Sequence, residues 1–380
     1  MFCFVPFMHS HVDTTATNRV CCAGQWYKKY DLQEWDSKDY QDIRTSLMSD
    51  DTEWRRECIE CKNKEESGAQ SLRQHYNDVY DQFDKPELNI VTGTNFDAPI
   101  SYDLSMTNLC NLSCRMCGPH SSSQLQKESI KHPELWPEYA DDLHKDYNKR
   151  YDLDKMLDNA ESLFEVKFRG GEPTLQPETR AILERLIEVG NINLNILLTT
   201  NGTNANNTFF KLLTQFKNVH IQFSIDAYGK GHDYIRGPAS DFKTIWSNVK
   251  KIRELNWAGN VDFEINQTVQ TLNIFDFWRL RQEVSLQYDW CRFRNFIVYD
   301  PHIHSPRFMP DQWKDIAVSK AKEAGAYEDE KHIFNMLNKY NHNNDVMQAL
   351  RGNIELMDMS RKQHLKDYYP LVNDLFEAHE

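Results

Sequence analysis

Cys110, Cys114 and Cys117 share one short run, Asn108-Leu-Cys-Asn-Leu-Ser-Cys-Arg-Met-Cys-Gly118. The spacing C-x3-C-x2-C supplies three thiolates and not four. A structural metal site closes its shell with four protein ligands, whereas a catalytic one keeps a position open. The run therefore predicts a metal centre with room for a further ligand. Tight cysteine spacings in a chain without an export signal favour thiolates on metal over disulfides.

The elements that must hold this loop follow from periodicity. Ile100, Tyr102, Leu104 and Met106 alternate with Ser101, Asp103 and Ser105, and Phe164, Val166 and Phe168 with Glu165, Lys167 and Arg169. The same alternation runs from Val219 to Asp226 and from Val261 to Asn266. Helices are predicted over 177–189, opening on Pro177 and ending at Gly190, and over 241–255. Strands alternating with helices predict an α/β fold built of βαβ units. One polar face per strand predicts a partly open barrel with a solvated lumen, because a closed barrel fills with branched apolar side chains. The expected boundaries are a Cys-rich region at 1–80, a barrel at 95–305 and a helical region at 306–380. The C-terminal helices are expected to dock a partner or cap the barrel base. Met347, Leu350, Ile354 and Met357 recur at helical spacing and read as core.

Each predicted strand runs into a recognisable turn. These are Arg169-Gly-Gly-Glu-Pro173, Thr199-Thr-Asn-Gly-Thr203, Ser224-Ile-Asp226 followed by Tyr234-Ile-Arg-Gly237, and Thr268-Val-Gln270. In this order, after the cysteine run, they resemble the radical S-adenosylmethionine (radical SAM) superfamily. The resemblance implies a partial (β/α)6 barrel and a [4Fe-4S] cluster on Cys110, Cys114 and Cys117, with SAM on the open iron. It implies reductive cleavage of SAM to a 5′-deoxyadenosyl radical that abstracts a substrate hydrogen. It also implies that Glu172, with Gly170 and Gly171, receives the SAM ammonium, and that Asn201 lies near SAM. Ser224 would bond the ribose, Arg236 the carboxylate, and Val269 would lie by the adenine; Asp226 is expected to order its loop. Met116 stands where many members carry an aromatic residue, and its soft apolar side chain suits the same role. The resemblance assigns no catalytic residue beyond the cluster.

Cys3, the pair Cys21-Cys22, and Cys58-x2-Cys61 form a second set. With the tail from Glu65 to Arg73, this set resembles the twitch, or truncated SPASM, domain. That implies a second [4Fe-4S] cluster on Cys3, Cys21, Cys58 and Cys61, with Cys22 the alternative to Cys21. The usual order places such a domain after the barrel, and here it precedes it. Two separated cysteine pairs also make a tetrahedral zinc site, so the metal stays open between the two. Four protein ligands would favour electron transfer or a structural role over substrate ligation. Cys291 reads as a small buried hydrophobe.

The chain has 380 residues, with Lys+Arg 44 against Asp+Glu 57 and a net charge of −13. That balance argues against nucleic acid and against an anionic membrane surface. No apolar run reaches the roughly 18 residues of a membrane span. The start, Met1 to Phe7, lacks a basic region and a cleavage site, so mature cytoplasmic protein is expected. The resulting expectation is a radical SAM enzyme acting on a peptide or protein, with an electron donor of flavodoxin or ferredoxin type. The alternatives are a small-metabolite enzyme with a structural N-terminal metal site, and a non-catalytic iron–sulfur sensor, which has no need of Gly-Gly-Glu-Pro. Lys167, Arg169, Arg292 and Arg294 are expected on the lumen wall, facing a polar ligand or pairing with Glu165, Asp262 and Glu264.

Overall fold

The computed structural model describes residues 2–24, 34–48, 53–66, 68, 70–81, 98–147, 151–286, 288 and 290–378. Its strands are β1 (His9–Val12), β2 (Asn18–Arg19), β3 (Ser101–Leu104), β4 (Glu165–Phe168), β5 (Asn195–Thr200), β6 (Asn218–Ser224), β7 (Asn260–Val269) and β8 (Arg292–Ile297). They form one sheet in the order β2-β1-β3-β4-β5-β6-β7-β8. β1 and β3 to β8 pair in parallel, and β2 is antiparallel to β1. The expected helices stand between strands, at Pro177–Glu188 and Phe242–Arg253. Their buried Ile182, Leu186, Ile245 and Val249 meet Leu104, Phe168, Leu198, Ile221 and Ile265 in one core. The apolar face of each strand packs on helices, and the polar face lines the lumen.

Two expectations about organisation change. The Cys-rich region is not merely appended to the barrel, because it supplies β1 and β2. β1 runs alongside β3 and covers an edge whose backbone groups would otherwise lack partners. The expected junction at 81–94 and residues 67 and 69 of the cysteine tail lie outside the described residues, apart from Asp81.

The C-terminal helices do not cap the base. Val269 and Ile297, the last residues of β7 and β8, share a core with Trp313, Phe334, Leu350 and Ile354, so these helices cover the end where the parallel strands finish. Met347 joins that core, and Met357 packs with Trp136. The base is filled instead by Tyr76, from the helix Leu72–Asp81. Its hydroxyl meets Glu165 (3.1 Å), His9 Nδ1 (3.1 Å) and Lys167 Nζ (2.9 Å) at the start of β1 and β4. Burial and the nearby Lys167 push the His9 pKa well below its ordinary value, so the imidazole bridges these groups in its neutral form. No helix among the described residues is long and apolar enough to cross a membrane.

Tyr76→Phe removes the hydroxyl while keeping the ring, and leaves Lys167 short of a buried partner. We expect a loss of about 1–3 kcal/mol in urea denaturation. A loss within measurement error would mean that this bridge does not join the N-terminal region to the barrel.

Candidate active site

The cysteine loop leaves β3 at its C-terminal end and is gripped from two sides. Ser122 caps the helix Ser123–Lys131 through the Leu125 N–H (3.1 Å), and its hydroxyl donates to the Leu112 carbonyl. Ser123 donates to the Cys110 carbonyl (3.1 Å). On the other side, the buried guanidinium of Arg115 lies 3.7 Å over the Tyr234 ring. It donates to the Tyr234 carbonyl (3.0 Å), to Asp358 and to Gln363. The helix Asn344–Arg361 thereby holds the loop from behind.

The turn after β4 presses on the start of the same loop. Gly170 and Gly171 have φ of +66° and +53°. A Cβ on Gly170 would lie 2.6 Å from that of Ser105, and one on Gly171 would strike the Leu109 carbonyl. The Glu172 N–H donates to that carbonyl (2.7 Å). Both glycines seat one protein loop on another, where their positive φ admits no other residue without strain.

Glu172 is fully buried. Its Oε1 accepts from the Thr174 N–H (3.1 Å), the Thr174 hydroxyl (2.7 Å) and the Thr200 hydroxyl (2.7 Å), and its Oε2 accepts from the Asn201 N–H (2.7 Å). Burial raises its pKa, and these bonds pull against that rise without cancelling it. Only Oε2 retains accepting capacity for an ammonium group. Asn201 is fixed in turn: its amide donates to Asn111 (3.0 Å) and points at Cys110 Sγ (3.9 Å), while its oxygen accepts from Thr203.

After β6, buried Asp226 receives Arg236 Nε (2.6 Å) and the Thr268 N–H (2.9 Å), which matches the loop-ordering role expected of it. Arg236 Nη1 lies 3.9 Å from Cys114 Sγ, so this guanidinium sits against the middle thiol of the loop. Ser224 ends β6 on the lumen face, half-buried, and its hydroxyl has no partner among the described residues. Val269 points the other way. Its side chain is buried in the core with the C-terminal helices, so this position offers a ligand its backbone only. Met116 is half-buried between that core and the cysteines.

Cys110, Cys114 and Cys117 pack together. Burial, followed by the neighbouring Cys114, pushes the Cys110 thiol up to about 12, and burial also raises Cys114 and Cys117. Gathered thiols that resist ionisation are what a cationic centre would deprotonate on binding. The donor set, three sulfurs on one loop, fits a [4Fe-4S] cluster with one open iron.

Cys3, Cys21, Cys58 and Cys61 line a second pocket, with Val5, Pro6, Leu47, Leu72 and Arg73. Arg73 is held there by Glu65, at 2.6 and 2.9 Å. Burial raises Cys3 well above its ordinary range, and the other three thiols act on it in the same direction. Among the described residues, no three His, Cys, Asp or Glu side chains are gathered into a shell for a single metal ion. The same holds of Cys110, Cys114 and Cys117, so neither thiol set is closed around a single metal-ion position. Cys22 lies apart from them. It is accessible, and its charged neighbours are Asp103, Arg169 and Lys167 on the lumen wall. Cys291 is half-buried and packs against the main core.

The basic lumen residues divide. Lys167 pairs with Glu165 (3.2 Å), Arg292 with Asp262 (2.7 Å) and Arg169 with Asp103 (3.6 Å). Arg294 is exposed without an ion-pair partner among the described residues. Sequence reasoning missed Arg115, Asp358, Asn111 and Tyr76. Only Asn111 carried a signal, as the residue after the first cysteine of the loop.

The sequence pattern of the Radical SAM superfamily matches residues 104–272. The sporulation killing factor maturation protein SkfB of Bacillus subtilis (strain 168) is 26% identical over 216 residues, 55% of this chain and 48% of that protein. A probable GTP 3′,8-cyclase of Pyrococcus horikoshii is 25% identical over 213 residues, 54% of this chain and 56% of that protein. The chain spans about half the length of the curated relatives it matches. A solved structure of native anSMEcpe with bound AdoMet overlaps at a TM-score of 0.43 and 19% identity, covering 63% of this chain and 62% of that one. The matched stretch runs from the end of β3 to just past β7, and holds the three-thiol loop with the turns after β4, β5 and β6.

Proposed function

We propose that the chain cleaves SAM reductively on a [4Fe-4S] cluster at Cys110, Cys114 and Cys117. We further propose that it modifies a peptide or protein side chain, with a second [4Fe-4S] cluster at Cys3, Cys21, Cys58 and Cys61 as electron conduit. One observation carries this reading. Cys3 precedes β1, and Cys21 follows β2, which runs back along β1. Both therefore leave the sheet at the end where the parallel strands begin, opposite the Cys110–Cys117 loop. The polar lumen lies between the two thiol sets.

When bound, the cluster and SAM supply one-electron cleavage and a 5′-deoxyadenosyl radical; the cofactor carries that chemistry and the protein positions it. Glu172 orders the Thr200–Asn201 turn and keeps one lone pair of Oε2 for the SAM ammonium. Arg236 keeps an Nη2 donor for the carboxylate, because its Nε is engaged by Asp226. Ser224 offers a hydroxyl to the ribose. On the lumen wall Asp103 pairs with Arg169 at 3.6 Å and has His11 Nδ1 at 3.7 Å, where substrate would meet them. The relative named for maturing a killing factor supports a peptide substrate. The relative named as a probable GTP cyclase supports a nucleotide-like metabolite as the second reading.

Metal analysis separates the two readings of the N-terminal set. In the anaerobically prepared Cys110→Ala/Cys114→Ala/Cys117→Ala variant, about four irons per chain should remain, as one residual cluster requires. Zinc in place of iron would make that set structural and favour the metabolite reading.

Glu172→Ala strands the Thr174, Thr200 and Asn201 donors together. Stability should fall by about 1–3 kcal/mol, and SAM affinity, read by calorimetry on the reconstituted protein, by roughly tenfold or more. Unchanged SAM binding would move the chain toward the sensor reading.

A further inference from the structure

The pocket that holds Cys3, Cys21, Cys58 and Cys61 has apolar walls, Val20 and Leu47 among them. Among the described residues, Arg73 is the only charged side chain that lines it. A charge in such a place loses part of its water, so the protein must supply its partners.

Arg73 is fixed from three directions. Its Nε and Nη2 donate to the two carboxylate oxygens of Glu65 (2.9 and 2.6 Å), and its Nη1 donates to the carbonyl of Phe2, the residue before Cys3 (2.9 Å). The guanidinium also lies 5.5 Å from the centre of the Trp54 ring. Glu65 is held in turn by the Ser71 hydroxyl (2.6 Å). It stands four residues after Cys61 on the helix Ile59–Glu66, and Arg73 is the second residue of the helix Leu72–Asp81. Glu65 does not line the pocket, so the pair turns its positive end to the thiols. Arg55 and Glu57 lie near Cys58, but they pair with each other at 3.4 Å and neither lines the pocket. The bond to Glu65 raises the Arg73 pKa, burial opposes the rise, and Cys3 and Cys61 add to it.

We propose that Arg73 sets the reduction potential of the second cluster, with Glu65 as the residue that positions it. The inference rests on the [4Fe-4S] reading of Cys3, Cys21, Cys58 and Cys61. Four thiolates give such a core a net negative charge, and reduction adds one electron with no bond made or broken. In an apolar pocket burial opposes that added charge, and net charge near the sulfurs is one of the levers on a cluster's potential. A fixed cation facing the thiols offsets the opposition and raises the potential. The carboxylate behind it stands farther off and lowers the potential by less.

The test is a potentiometric titration with dithionite, read by electron paramagnetic resonance, on the full-length Cys110→Ala/Cys114→Ala/Cys117→Ala protein, which keeps the second cluster alone. Arg73→Gln should lower the ratio of reduced to oxidised cluster about tenfold at a given potential, which is about 59 mV for one electron. Glu65→Gln should move the midpoint upward, because the cation then acts without its counter-charge. Arg73→Lys should keep the ratio within about twofold of the parent. A mere clip between two helices would weaken all three variants in urea and leave the midpoint in place. An unmoved midpoint in Arg73→Gln therefore overturns the proposal, as does a downward shift in Glu65→Gln. Should Arg73→Gln fail to hold iron, the direction of the Glu65→Gln shift decides. Zinc and no iron in the parent protein overturns the cluster reading and the proposal with it, and metal content tells that outcome from the others.

Discussion

The contact between the Gly170-Gly171-Glu172 turn and the Asn108–Leu109 backbone fixes where the three thiols stand. Two successive residues at positive φ let one loop touch the next without a Cβ between them, and a 2.7 Å bond from the Glu172 N–H to the Leu109 carbonyl closes the contact. The side chain of Glu172 then passes the constraint to the following strand through Thr200 and Asn201. Asn201 returns it to the cysteine loop through Asn111. The chain of bonds thus starts and ends on the loop, and it crosses the C-terminal ends of β3, β4 and β5. A buried carboxylate that accepts four bonds is strongly ordered, and each donor depends on it for satisfaction.

The second grip is of a different kind. Arg115 lies inside the loop, between Cys114 and Met116, and is fully buried. A buried guanidinium is tolerated only with partners close by. They come from Tyr234, Asp358 and Gln363, the last two in the C-terminal region. Tyr234 also donates to Asp358 (2.9 Å), so one carboxylate ties the loop, the Arg236 turn and the terminal helix together. The C-terminal helices therefore belong to the end of the barrel that carries the three-thiol loop. Their packing against Val269 and Ile297 follows from the same arrangement.

What could be read from the sequence follows from locality. The strand faces were legible because alternation has a period of two, and the observed register keeps Asp103, Lys167, Leu197, His220 and Asp262 in one cross-sheet row. The cysteine loop and its turns were legible because each is a short contiguous run. The loop that the two glycines seat was not legible, since a Gly-Gly pair announces close approach without saying what approaches. The packing of the Val269 side chain into the core of the C-terminal helices was not legible either, because a strand end does not announce which distant helices will cover it. Arg115 with Asp358, 243 residues apart, and Tyr76 with Lys167, 91 apart, left no local trace. The placement of β1 beside β3 was hidden in the same way, because a four-residue strand carries too little periodicity to declare a partner.

The lumen is an expensive way to build an interior. Asp103 is almost wholly buried, which by itself opposes ionisation, yet Arg169 and His11 outweigh that and hold its carboxyl well below the usual range. Lys167, Glu165, His9 and Tyr76 form a second buried set beneath it. Apolar residues of similar volume often stabilise a protein as well as such ion pairs or better, as the filled centres of closed barrels illustrate. The pairs are also incompletely matched, with Asp103 Oδ1, His11 Nδ1 and Arg169 Nε lacking hydrogen-bond partners at the cluster-side level, whereas the base-side set is closed by Tyr76. Buried polar atoms without hydrogen-bond partners occur elsewhere too, at Arg44, Trp136, Thr179, His232 and Gln270 among others, so this level is one of several that leave polar groups short. At the lumen level the unmatched atoms include those of a charged pair, Asp103 and Arg169, which an apolar filling would have replaced at lower cost.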